Sequence, residues 1–88
     1  MEYEWDEAKG AANLAKHGVS LGDAVGLDWE SGIDLIDTRE EYGEARIIRY
    51  AQLEYRFFVC VYVQRGEKRR VISLRKTNKR EIMSYGIS

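Results

Sequence analysis

The chain has 88 residues, 33% of them charged and 44% hydrophobic, and a formal net charge of −1. That mix describes one small globular domain, too hydrophobic for a disordered segment and long enough to fold without staples. One cysteine and one histidine exclude an internal disulfide and a zinc site of the usual Cys/His kind. No apolar run approaches the roughly 20 residues that cross a bilayer, and the acidic N-terminus does not resemble a signal peptide. A cytoplasmic protein is expected.

The near-neutral total hides an asymmetry. Residues 1–45 carry three basic and twelve acidic side chains, a sum of −9, whereas residues 46–88 carry eleven basic and three acidic ones, a sum of +8. Such a split suits a nucleic-acid surface or a charged partner, or two halves that neutralise each other across the fold.

In chain order, Met1–Trp5 alternates polar and aromatic residues and reads as a short edge strand. Asp6 is a natural N-cap for a helix over Glu7–His17, with Glu7 in its first turn and Gly18 as a left-handed stop. Ala8, Ala11, Ala12 and Ala15 form a small-residue stripe expected to lie close against a sheet. Ser20 and Asp23 suggest a second helix, buried through Ala24, Val25 and Leu27. Trp29–Gly32 reads as a turn, Ile33–Asp37 as a strand, Thr38–Gly43 as an acidic loop and Arg46–Leu53 as another strand.

The organising stretch follows. Phe57, Val59, Val61 and Val63 fall on one side of an extended chain, and Phe58, Cys60 and Tyr62 on the other. A strand apolar on both faces belongs in the middle of a sheet. Arg65–Arg69 reads as a short hairpin loop returning into Arg70–Arg75. Cys60, on that strand, reads as an inert core thiol. Asn78 with Glu81 starts a last helix through Tyr85. Segregated helices and strands predict an α+β fold, with helices on one face of the sheet and the other face covered incompletely.

With no metal cluster, phosphate loop or nucleophile elbow, an enzyme of this composition must work with arginine, lysine, histidine, tyrosine and carboxylate. RNA cleavage needs no more. The 2′-hydroxyl is the nucleophile, and the protein moves two protons and neutralises a phosphorane. Arg46, Arg49, Arg65, Arg75, Lys76 and Arg80 offer cations suited to phosphate. His17 is the default proton carrier, although a helix-terminal histidine also stabilises the dipole. Glu81 reads as a base or as a capping carboxylate. Tyr85 reads as an acid, a stacking group or an anchor of the last helix. Arg75 reads as a cation for the substrate or as half of a salt bridge, and a Glu44–Arg46 pair competes with a catalytic Arg46.

The pattern as a whole resembles one family. Trp5-Asp6, Lys9, Asn13, Lys16-His17-Gly18-Val19-Ser20 and Ala24 are similar to the opening signature of the BrnT family. Gly43-Glu44-x-Arg46 resembles its middle motif, and Arg70-Val71-Ile72-Ser73-x-Arg75-Lys76 with Glu81 and Tyr85 its closing one. Four positions depart from the pattern: Leu21, Gly26, Ala51 and Leu74, the last of which stands beside Arg75 and bears on the shape of a cleft there. The resemblance implies a ribonuclease toxin of a type II toxin–antitoxin pair that inhibits translation, and the residue set above is expected to cleave without metal or cofactor. Its implied fold is RelE-like, with two N-terminal helices packed on a small mainly antiparallel sheet and a short C-terminal helix. His17, Arg46, Arg75, Glu81 and Tyr85 are the expected catalytic residues, and Lys16, Arg49, Arg65, Lys76 and Arg80 the expected RNA-binding ones. The implied partner is a BrnA-like ribbon-helix-helix antitoxin, with promoter DNA reached only through the complex. The alternative is a weak or inactive homologue that serves as a binding module for such an antitoxin.

Overall fold

The computed structural model describes residues 1–38 and 43–81. Five strands form one sheet: β1 (Glu2–Glu4), β2 (Ile33–Ile36), β3 (Ile47–Leu53), β4 (Arg56–Arg65) and β5 (Lys68–Lys76), in the order β1-β5-β4-β3-β2. β1 runs parallel to β5, and every other pairing is antiparallel. β4 is central, as a strand apolar on both faces should be, and Phe58 to Val63 are all buried. Its hairpin with β5 closes through Gly66 and Glu67, Gly66 taking the positive φ of 59° that a glycine-first two-residue turn requires.

One face of the sheet carries the main core. Phe58, Cys60 and Tyr62 of β4 meet Val71 and Leu74 of β5, Ala51 of β3, and Leu21, Ala24 and Leu27 from the connection between α1 and β2. Cys60 is wholly buried, and burial pushes its thiol up to about 12, so it is unreactive packing. The opposite face carries a smaller cluster of Tyr50 and Val59 flanked by Leu35, Ile48 and Phe57.

Helix α1 spans Glu7–His17. The Asp6 carboxylate accepts from the Lys9 amide at 2.9 Å, and Gly18 ends the helix at φ 74°. Its boundaries are those expected; its packing face is not. Ala8, Ala11, Ala12 and Ala15 are all exposed, while Gly10 and His17 are half-buried and Asn13 is buried. The reason lies in β5. β1 pairs with it only as far as Arg70, which leaves the backbone at Leu74 without a neighbouring strand on the side away from β4. Asn13 takes that place, accepting from the Leu74 amide at 3.1 Å and donating to the Leu74 carbonyl at 2.8 Å. A third bond at 3.0 Å reaches the Val19 carbonyl. A buried strand edge must be satisfied, and that need turns the helix.

The expected RelE-like layer of two N-terminal helices on a small sheet is overturned. The mixed sheet makes up most of the described chain, and α1 is the one α-helix ahead of it among the described residues. Leu21–Gly26 is a 3-10 helix held by i to i+3 bonds from Asp23 to Ser20 and from Leu27 to Ala24. Ser20 makes no side-chain cap, and two glycines in six residues weaken a longer helix. Ala24 and Leu27 are buried as expected, but Val25 is 53% exposed. At the other end, Asn78 and Glu81 cap each other reciprocally, at 2.8 and 2.9 Å, and open the short C-terminal helix. Its continuation through Tyr85, and the acidic loop over residues 39–42, lie outside the described residues.

Candidate functional site

Register decides which side chains meet on the less covered face. Tyr50, Val59 and Arg75 stand side by side on β3, β4 and β5, and Ile48, Val61 and Ser73 form the next row. Glu81 comes over this surface from the terminal helical turn. Together these seven residues line a concavity of about 240 Å³. The Arg75 guanidinium meets the Glu81 carboxylate with both terminal nitrogens at 2.8 Å, and also donates to the Lys76 carbonyl at 3.1 Å. The Tyr50 hydroxyl donates to the same carboxylate at 3.2 Å. Arg75 and the Asn78 amide hold the Glu81 carboxyl below its ordinary value, against an opposing push from burial. It is therefore a fixed anion and acceptor, with the Arg75 fork and a phenol on either side. Such a set can orient a phosphate, spread the charge of a phosphorane and move a proton.

The other arginines divide by face. Arg46 precedes β3 at the alternation of Ile48 and Tyr50, so it shares the face of Arg75. It is displaced along β4 by four residues, about 13 Å. Arg70 stands in that same distant row beside Val63. There Arg65 pairs with Glu44 at 2.7 Å, and Glu4 approaches both Arg65 and Arg70 at 3.8 and 3.7 Å. Arg49 points to the core side. It grips Asp34 through two bonds of 2.6 and 2.7 Å and lies 5.1 Å from the Trp29 ring. Arg69 covers the same ring at 3.9 Å and donates to the Tyr3 hydroxyl at 2.9 Å. Charge therefore crosses between the acidic and basic halves at Asp34, Glu4 and Glu44, while Arg75 pairs within its own half.

His17 ends α1 and takes no part in the described hydrogen bonds of Arg75, Glu81 and Tyr50. Lys16, Lys76 and Arg80 are exposed, on the last turn of α1, the end of β5 and the terminal turn. Tyr85 lies outside the described residues. Leu74 is wholly buried in the core, so it faces away from the Arg75 concavity and does not shape it, contrary to what its adjacency suggests. Two residues escaped the chemical reading of the sequence. Tyr50 could have been found by pairing β3 with β4 in register; Asn13, a polar residue among alanines, carries no local signal of burial. Among the described residues, no group of three or more His, Cys, Asp or Glu is placed to hold a metal, and no helix is long and apolar enough to cross a membrane.

A model of the BrnT family, the ribonuclease toxin of type II toxin–antitoxin systems, matches residues 5–81. The chain belongs to the BrnT family. No curated protein matches it. The matched span runs from Trp5 in the main core to Glu81 in the concavity, so it takes in both the Asn13 brace and the whole Tyr50–Arg75–Glu81 cluster. A BrnT chain is a ribonuclease toxin, and a type II system supplies a protein antitoxin as its partner.

Proposed function

We propose that this BrnT chain cleaves RNA on the concave face, without metal, and so inhibits translation. The carrying observation is the Arg75 fork locked on Glu81 with Tyr50 beside it. Arg75 neutralises the phosphorane, and Arg46, about 13 Å away on the same face, holds a neighbouring phosphate of the bound strand. Glu81 accepts the 2′-hydroxyl proton, and a phenol, Tyr50 of this face or the Tyr85 expected from the sequence, returns one to the departing 5′-oxygen, leaving a cyclic phosphate. Of the two proton carriers expected from the sequence, Glu81 adjoins Arg75, and the base is assigned there rather than to His17. Lys16, Arg49, Arg65, Lys76 and Arg80 complete the expected RNA contacts. Arg49 is the one whose guanidinium is already committed to a carboxylate and an aromatic ring. A BrnA-like ribbon-helix-helix antitoxin neutralises the chain and carries the complex to promoter DNA.

The test is cleavage of total RNA by purified protein in excess EDTA. The wild type cuts, and Arg75→Ala does not, while circular dichroism shows both folded. Equal cutting by the two proteins would remove the assignment, and a requirement for added metal would remove the metal-free chemistry. Because Glu81 already occupies the Arg75 fork, a second reading is a chain that binds its antitoxin tightly and cuts weakly or not at all. Expression without antitoxin separates the two: growth arrest belongs to the first, unimpaired growth to the second.

A further inference from the structure

A second cavity, of about 610 Å³, opens beneath the turn between β3 and β4. That volume lies within the roughly 300–1,000 Å³ of ordinary ligand sites. Leu53 and Phe58 form its apolar floor, and Tyr55, Arg56 and Lys76 stand around it with the carboxylates of Asp23 and Glu54. Glu54 and Tyr55 make the two-residue turn, Glu54 at a φ of 58°. Tyr55 is 96% exposed: its ring supports no packing and is presented to solvent. Arg56 and Lys76 are exposed too. Among the described residues neither has an ion-pair partner, unlike Arg49, Arg65, Arg70 and Arg75.

An unsupported aromatic ring, two uncommitted cations and an open cavity together match what single-stranded nucleic acid needs: a stacking platform flanked by phosphate contacts. The carboxylates sort the pieces. They repel a phosphate but accept hydrogen bonds from base N–H groups, so the cavity suits the base and the rim suits the backbone. Guanine places two donors side by side on its Watson–Crick edge, which a single carboxylate can accept together. Arg75 and Lys76 are consecutive and alternate to opposite faces. A strand gripped at Arg75 therefore reaches Lys76 by rounding the end of β5.

We propose that this cavity is a base-recognition subsite for single-stranded RNA. Tyr55 stacks on an unpaired guanine, Asp23 or Glu54 accepts from its Watson–Crick edge, and Arg56 and Lys76 hold the adjoining phosphates. It rests on the ribonuclease reading and adds to it the residues that select sequence.

Fluorescence anisotropy on the full chain tests this, using Arg75→Ala as the parent so that RNA survives the titration. The probes are a short labelled uridine oligomer and the same oligomer with one central guanosine. The guanosine oligomer binds at least about fivefold tighter, and Tyr55→Ala weakens its binding at least about fivefold. Asp23→Asn with Glu54→Gln brings the two oligomers to equal affinity, with circular dichroism confirming each fold. No guanosine preference, no binding of either oligomer, or equal binding with and without the Tyr55 ring overturns the subsite. So does a Tyr55→Ala loss of antitoxin binding with RNA affinity unchanged, which assigns the cavity to a protein. Cleavage of the same oligomers with Arg75 intact separates this result from the parent reading. Cutting that ignores Tyr55 sinks only the subsite, whereas Tyr55-dependent binding without cutting sinks only the nuclease.

Discussion

The two faces of the sheet use arginine in opposite ways. On the core side, Arg49 and Arg69 enclose the Trp29 ring at 5.1 and 3.9 Å, and that ring meets Tyr62 edge-on at 5.1 Å. Their charge is absorbed by π faces, by Tyr3 and by Asp34, which makes the guanidinium a packing element. On the other side, Arg75 sits at the rim of a concavity, its side chain 36% exposed against 13% for Glu81. A guanidinium paired with a carboxylate at an accessible rim can exchange that partner for a phosphate; one sealed under a tryptophan cannot. Counting arginines in the basic half therefore overstates the reactive surface.

Breaking the core side should cost stability and spare chemistry. Trp29→Ala should lower the unfolding free energy by about 3 kcal/mol, measured by urea denaturation, with cleavage per folded molecule unchanged. Arg75→Ala should do the reverse. Cleavage should fall at least about hundredfold while the denaturation midpoint stays close to that of the wild type.

Asn13→Ala sharpens the contrast, because it lies in neither set of arginines yet joins α1 to β5. Removing its amide leaves the Leu74 N–H and C=O buried and unsatisfied, and should cost about 2 kcal/mol. A cost near zero would show that α1 does not depend on that brace.

The smallest effect concerns acid. Because the Glu81 carboxyl is held below its ordinary value of 4.5, its contribution to stability is complete above that pH and lost as pH falls through the lowered value. Wild-type stability should thus drop on acidification below pH 4.5 by about 1 kcal/mol more than that of Glu81→Gln. Parallel pH profiles for the two proteins would show that the Arg75–Glu81 pair adds nothing to the folded state.

Much of the frame was legible residue by residue. Two-sided apolarity put Phe57–Val63 at the centre of the sheet, Asp6 and Gly18 bounded α1, and the Asn78–Glu81 pair marked the start of the terminal turn. Each is a local signal, in which a few adjacent residues state their own backbone geometry. The second helix was misjudged because Ser20 and Asp23 resemble a capping box, while Gly22 and Gly26 and the shortness of the segment favour tighter i to i+3 turns. The alanine stripe was misjudged for a different reason. Helical periodicity shows that a face exists, and it cannot show that a strand edge elsewhere needs an asparagine.

The amino-acid order alone determined the central hairpin, the ends of the first helix and the membership of the BrnT family, since all of these depend on neighbours in the chain. Only the tertiary structure decided which arginines are structural and which stand at a rim, and that Tyr50 joins Arg75 and Glu81. Side chains alternate along a strand, so a shift of one residue in pairing would move each of them to the other face. That register is set by contacts between residues far apart in the chain, such as Tyr3 with Arg69, 66 positions away.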